Sequence, residues 1–354
     1  IQHAMEEIVD NTVERTGSTS ATIVVLDPKT GEILAIATTP RLDLNEYWKL
    51  SEVFPPEQKI PFNRAVSQTY EPGSVFKVLT MAAALDAGIV TPDTVFTDTG
   101  AFEIGGITIR NWDGGAWGPQ TMLGCMQNSL NVCLAWVAWH TGAQKFYSYM
   151  KAFGIGRPTG LDLDLEAPGR LKVPGDTDWW ESDLGTNAFG QSVSVTPLQL
   201  ASAISAIAND GKLMAPHVVR SIIKDGYQRD TEIQVISTPV RPETAQTLSE
   251  MLAVSVQSES YKEALVSGYR IAGKTGTAEI PTEQGYTSTE TNASFVGWGP
   301  VDDPRFLVYV WLERPKTSSW GSIVAAPVFR EAVEKLVILM ALPPDDLRHK
   351  LYGQ

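Results

Sequence analysis

The sequence predicts an α/β chain of the α+β type: a central, mainly antiparallel sheet from both chain ends, flanked by helices, with an all-helical subregion inserted between. Three observations predict it. β-Rich runs stand near the start, at 21–26 (Ala-Thr-Ile-Val-Val-Leu) and 32–38, and again near the end, at 270–280, 293–299 and 305–313. The middle carries apolar stretches at helical spacing. No internal repeat or low-complexity tract interrupts this order, so strands at both ends pack most simply as one mixed sheet.

The elements follow in chain order. Residues 1–16 read as a helix with charged positions, ending near Gly17. Asp27-Pro28-Lys29-Thr30-Gly31, between the first two β-rich runs, is a hairpin turn. Proline and polar residues make 40–72 loop-like. Residues 77–87 read as a buried helix stopped by Gly88, 89–120 as short strands and glycine turns, and 122–140 as one strongly apolar helix. Another helix covers 143–153, and 155–187 is loop. Thr196 and Pro197 suit the N-cap and first turn of a helix to Asn209, and Pro242 opens one to about Val256. Residues 322–342 read as an amphipathic final helix.

The 354 residues suffice for two or three domains at roughly 150 residues each. The paired terminal strands favour one domain over 1–354, with a sheet subregion at about 18–60 and 265–342 and the helical subregion at about 74–256. Lys and Arg number 28 against 41 Asp and Glu, a net charge of −13 that argues against nucleic acid as partner. Four scattered histidines and two cysteines form no metal-ligand spacing, which disfavours a zinc hydrolase. On the single helix expected over 122–140, Cys125 and Cys133 would lie about 12 Å apart along the axis, too far for a bridge. No stretch is long and apolar enough to span a bilayer; the nearest, 323–342, is broken by Arg330, Glu331, Glu334 and Lys335. The opening Ile-Gln-His-Ala-Met looks like mid-protein, so an anchor or preceding domain is expected to lie upstream.

Three short patterns carry possible chemistry: Ser74-Val75-Phe76-Lys77, Ser129-Leu130-Asn131 and Lys274-Thr275-Gly276. Alone each is weak. Ser-x-x-Lys recurs at Ser148/Lys151 and Ser221/Lys224, and Lys-Thr-Gly at Lys29. Ser148 lies inside a helix, Ser221 and Lys224 fall on opposite faces of a strand, and Lys29 is turn chemistry. Ser74 differs. It follows the Pro72-Gly73 turn at a helix start, with Lys77 one turn later on the same face. A serine hydroxyl needs a neighbour to take its proton, and a lysine does so only as the neutral amine, which burial or a nearby cation favours. The apolar helix supplies burial and Lys274 the cation. Lys274 sits in a strand where Gly276 leaves room for an extended peptide alongside, with Lys274, Thr275 and Thr277 near its terminal carboxylate. The order of the three patterns, the first at a helix start and the last in a strand, sets them apart from caps and turns.

With these motifs the sequence resembles the penicillin-binding transpeptidases, in particular the transpeptidase domain of a class B penicillin-binding protein of the cell-division type. The resemblance covers nearly the whole chain. Arg64-Ala65-Val66 leading to Tyr70-Glu71-Pro72-Gly73-Ser74 is similar to the family's segment around its nucleophile, and Phe189-Gly190-Gln191 through Thr196-Pro197-Leu198-Gln199-Leu200 to its Gly-Gln…Thr-Pro-Leu-Gln segment. Ala272-Gly273-Lys274-Thr275-Gly276-Thr277-Ala278-Glu279 matches the third motif, and Ala325-Ala326-Pro327-Val328-Phe329 resembles the last helix.

The resemblance implies a penicillin-binding/serine β-lactamase-like fold and a peptidoglycan D,D-transpeptidase. It implies Ser74 as acylated nucleophile, Lys77 as general base, Ser129 as proton relay, Asn131 on the substrate amide and Lys274 as source of positive potential. Thr275, Gly276 and Thr277 would bind substrate, and the backbone N–H groups of Ser74 and Thr277 would form the oxyanion hole. Neither metal nor organic cofactor is implied. Implied partners are peptidoglycan stem peptides, β-lactam antibiotics and, through N-terminal parts outside this chain, a membrane glycosyltransferase and division proteins. The implied place is the extracytoplasmic face of the bacterial cytoplasmic membrane. Leu130, larger than the small residue usual inside the second motif, is expected to alter the cleft. A D,D-carboxypeptidase or a β-lactam-sensing receptor domain are alternatives. A serine β-lactamase is less favoured, because Glu166 is followed by Ala-Pro-Gly-Arg instead of a Glu-x-x-Leu-Asn context.

Overall fold

A computed structural model describes residues 1–54, 63–281, 285–286 and 290–352. The main sheet is assembled from both chain ends. Its strands are β1 (Ser20–Leu26), β2 (Ile33–Thr39), β3 (Ala272–Glu279), β4 (Thr291–Gly299) and β5 (Phe306–Glu313), in the order β3-β4-β5-β1-β2 with every pair antiparallel. Asp27 to Gly31 closes the β1–β2 hairpin, with Gly31 N–H on Asp27 O at 2.9 Å.

Both sheet faces are covered, which is why the strands read as near-continuous apolar runs. Alternate residues divide between two cores. Ala21, Ile23 and Val25 of β1 and Val308, Val310 and Leu312 of β5 meet the outer helices α1 (Gln2–Thr16) and α7 (Ala326–Leu339). Val24, Leu26, Leu307, Tyr309 and Trp311 face the inserted subregion. At its centre are α2 (Lys77–Asp86), α3 (Met122–Gln127), α4 (Asn131–Thr141), α5 (Pro197–Ala208) and α6 (Pro242–Val256). Thr196 caps α5 as expected, accepting from Gln199 N–H at 3.1 Å.

Three expectations need correction. The inserted subregion is not helical throughout, since it also carries four two-stranded sheets. Residues 322–342 do not hold the final helix: a short turn (Gly321–Val324) precedes α7, and Asp345–Tyr352 forms a further helix. Most consequential, 122–140 is not one helix. Ser129 takes a left-handed backbone (φ 53), Leu130 N–H closes onto Cys125 O at 3.0 Å, and α4 starts anew at Asn131. The break folds Cys133 back beside Cys125, with Cα atoms 6.2 Å apart, and the two form a disulfide. The distance argument against a bridge assumed an unbroken helix, and the break removes that premise.

Candidate active site

Ser74 lies in a 3-10 turn, Gly73–Phe76, that feeds α2. This turn is held from two sides. Tyr70 exchanges both backbone hydrogen bonds with Val195, each 3.0 Å, and Gly73 N–H donates to Gly190 O at 3.0 Å. Gly190 (φ 81) is required there, because a Cβ would fall 2.3 Å from Gly73 O. The Phe189–Leu200 segment is thus a shelf beneath the Ser74 turn. On the sheet side the Tyr70 ring stacks on Trp311, centroids 4.5 Å apart, and its hydroxyl bonds that of Tyr309. Gly73 (φ 61) presses against β3, where a Cβ would meet Ala278 Cβ and Thr277 O, each at 2.9 Å.

One helical turn on, Lys77 is fully buried. Its Nζ donates to Ser129 O (2.6 Å), Ser129 Oγ (3.2 Å) and Asn131 Oδ1 (2.7 Å). Burial, reinforced by the charge of Lys274, holds its pKa well below the ordinary lysine value. Lys274, equally buried, donates from the other side to Ser129 Oγ at 2.9 Å. Ser129 therefore joins two lysines through one oxygen, and its left-handed backbone is the local distortion that aims it there. Asn131 is oriented at both ends, because its Nδ2 also donates to Arg110 O at 3.2 Å. Ser74 Oγ makes no hydrogen bond among the described residues.

The third pattern lies on β3, the end strand of the sheet. Thr277 Oγ1 accepts from Gly321 N–H at 3.1 Å, and Thr275 O lies 3.4 Å from Lys274 Nζ. Gly276 departs from its expected use. It is buried, and a Cβ there would strike Ser294 Oγ at 2.2 Å and approach Val75 Cγ1 at 3.0 Å. It clears space for the Ser74 turn and β4, so the room it leaves is filled by the protein. Leu130 is also placed otherwise than expected. Its side chain is fully buried in the inserted subregion's core, so it does not shape the cleft.

Several groups near the site carry no motif. Tyr261, on the turn Glu259–Ala264, accepts from Lys274 Nζ at 2.6 Å. Trp112 donates from Nε1 to Asn128 O at 3.3 Å, beside Ser129, and its ring meets Trp320 edge-on with centroids 5.2 Å apart. Trp320 adjoins Gly321, so this exposed pair spans from the second motif to the third. Glu71 accepts from Ser192 N–H (3.0 Å) and from Tyr286 Oη (2.6 Å), and burial raises its pKa. Tyr286 belongs to the 281–291 loop between β3 and β4. Residues 282–284 and 287–289 of that loop lie outside the described residues. Sequence signals for these groups were faint: two tryptophans in glycine- and serine-rich loops, and a tyrosine amid charged residues.

The rival patterns fall away on position. Ser148 and Lys151 are exposed on a helix, Ser221 and Lys224 end a surface hairpin strand, and Lys29 pairs with Asp303. Glu166 binds its own loop through both oxygens, accepting from Thr159 N–H (2.7 Å) and Gly160 N–H (3.0 Å).

Two buried lysines and two half-buried serines thus stand together between the two-faced antiparallel sheet and the inserted subregion. Residues 21–334 match the family described as penicillin binding protein transpeptidase domain, and the chain belongs to that family. Over 339 residues it is 36% identical to stage V sporulation protein D of Bacillus subtilis, covering 93% of this chain and 50% of that protein. It is 34% identical over 354 residues to penicillin-binding protein PbpB of Mycolicibacterium smegmatis, covering 95% of this chain and 53% of that one. The chain thus spans about half the length of these relatives. Among solved structures, the transpeptidase domain of Burkholderia pseudomallei penicillin-binding protein 3 superposes with a TM-score of 0.81 at 29% identity, covering 97% of this chain and 95% of that one. Penicillin-binding protein 3 of Mycobacterium tuberculosis, complexed with aztreonam, gives 0.86 at 29% identity, over 97% of this chain and 78% of that one.

Proposed function

We propose that this domain is a peptidoglycan D,D-transpeptidase working through a Ser74 acyl-enzyme. The observation that carries the reading is the meeting of Lys77 Nζ and Lys274 Nζ on Ser129 Oγ, one helical turn from Ser74. A neutral Lys77 takes the Ser74 hydroxyl proton as Oγ attacks the carbonyl between the two terminal D-alanines of a stem peptide. The backbone N–H groups of Ser74 and Thr277 hold the oxyanion; losing one such donor costs about 10²–10³ in rate. The C–N bond breaks, and the departing D-Ala amine takes a proton from Lys77 through Ser129. The amine of a second stem then attacks the ester, returns its proton by the same route and leaves a cross-link and free Ser74. Asn131, with one amide hydrogen unassigned, is placed for the donor's backbone. Lys274, Thr275 and Thr277 are placed for its terminal carboxylate, the donor lying against the free edge of β3.

β-Lactams would acylate Ser74 as mimics of the donor. Among the described residues no helix is long and apolar enough to cross a membrane. In the whole protein we place the domain on the extracytoplasmic face, with an anchor and contacts to a membrane glycosyltransferase and division proteins in parts outside this chain. The Cys125–Cys133 disulfide supports an oxidising compartment. The test is time-resolved labelling with fluorescent penicillin, followed by a stem-peptide donor with an amine acceptor. A stable adduct and an amide product are expected. Rapid adduct turnover would instead mark a β-lactamase, and hydrolysis alone a carboxypeptidase.

A further inference from the structure

Lys77 and Lys274 are both fully buried, and among the described residues neither is hydrogen-bonded to a carboxylate. Buried ammonium groups normally have such a partner, so the neutral oxygens around this pair must do more than usual. Lys77 is served by Ser129 and Asn131. Lys274 shares Ser129 Oγ, and its other close acceptor is the phenol of Tyr261 at 2.6 Å, with Thr275 O at a marginal 3.4 Å. Tyr261 is 2% exposed, and its phenol oxygen points directly at the Lys274 ammonium.

Tyr261 is reached from none of the three motifs. It sits on the 3-10 turn Glu259–Ala264 directly after α6, packed in the outer core against α7 and the Gly321–Val324 turn. The hydroxyl therefore crosses from that core to the lysine pair. A phenylalanine there would fill the same volume and leave Lys274 one acceptor short.

We infer that Tyr261 is a positioning residue of the acyl-transfer site: its phenol oxygen pins the Lys274 ammonium against Ser129 Oγ, and through Lys274 it keeps Lys77 able to accept the Ser74 proton. The inference rests on the acyl-transfer reading above. The groups facing the pair are Lys77 from α2, Ser129 from the α3–α4 turn, Asn131 from α4, Lys274 and Thr275 O from β3, and Tyr261; the titratable ones are Lys77, Lys274 and Tyr261. Lys274 is one cause of the depressed Lys77 pKa, after burial. Without the phenol oxygen Lys274 is free to draw back, and the Lys77 pKa rises. The rate of acylation climbs as Lys77 loses its proton, so its acid limb moves to higher pH.

The experiment measures the second-order rate of labelling by fluorescent penicillin against pH for the wild type and Tyr261→Phe, with melting temperatures alongside. Tyr261→Phe is expected to be labelled at Ser74 about tenfold more slowly at neutral pH, with its acid limb displaced upward. An unchanged acid limb in the variant, even with a lowered melting temperature, overturns the inference, since packing alone would do that. Tyr261→Leu and Tyr261→His form a second pair, without and with an acceptor atom, should the first variant not fold. The limb must move in the Leu variant and stay nearer the wild type in the His variant; the reverse order overturns the inference. A wild type that is not labelled at all overturns the acyl-transfer reading itself.

Discussion

Lys77 and Lys274, which lie 197 residues apart in the chain, donate to the same oxygen, Ser129 Oγ, at 3.2 and 2.9 Å. The arrangement puts two amines in one buried space, and it has a thermodynamic consequence. The Lys77 pKa in the fold lies below its ordinary 10.5. Between those two values the unfolded chain binds more protons than the folded one, so folding stability rises with pH across that window. The slope for one such group approaches about 1.4 kcal/mol per pH unit. Lys77→Met should abolish labelling by penicillin, be more stable than the wild type at neutral pH, and lack this contribution to the slope. Chemical denaturation of both proteins from pH 7 to 10 measures it; parallel curves would contradict the depressed pKa.

The disulfide holds the turn that carries Ser129. Cys125 and Cys133 are both fully buried, one on each helix beside the break. Cys125→Ala/Cys133→Ala is expected to lose about 2–4 kcal/mol of stability. It is also expected to slow acylation, because Ser129 is then less firmly aimed at the two lysines. Melting curves and labelling rates check this. A double variant that melts lower but labels at the wild-type rate would show that the bridge serves stability alone.

Gly190 carries the Ser74 turn. In Gly190→Ala the new Cβ would lie 2.3 Å from Gly73 O, and the residue would keep an unfavourable φ of 81. Backbone strain of this kind costs about 1–3 kcal/mol and here pushes directly on the residue before Ser74. The variant should therefore lose labelling rate out of proportion to its melting temperature.

The Trp112–Trp320 contact bridges the two walls of the site while both rings stay exposed. An aromatic pair of this geometry contributes about 0.5–1.5 kcal/mol beyond burial. Trp320→Ala should leave the melting temperature nearly unchanged and reduce apparent affinity for penicillin up to about tenfold, with the limiting acylation rate retained. Saturation kinetics of labelling separate the two; a fall in the limiting rate alone would contradict a role at the mouth.

The sheet was legible because its strands bury both faces, so Ala21–Leu26 and Phe306–Glu313 announce themselves by continuous apolar composition. The first and third motif segments were legible because the one stands at the start of α2 and the other on β3. What escaped detection depends on long-range packing. Ser129 interrupts an apolar run that by composition alone is uniform helix, and the bridge between Cys125 and Cys133 follows from that interruption. Gly276 was read as making room for a ligand, whereas the neighbours that claim the room, Val75 and Ser294, come from distant parts of the chain. Tyr261 has ordinary neighbours in sequence and acquires its contact only when the turn after α6 folds against β3.

The central claim is that Ser74 is the acylated nucleophile, and labelling with fluorescent penicillin tests it most directly when wild type and Ser74→Ala are followed side by side with mapping of the modified peptide. The account predicts a persistent adduct on the Ser74 peptide of the wild type and none on Ser74→Ala. A wild type that takes no label, or a Ser74→Ala variant that still does, would contradict it.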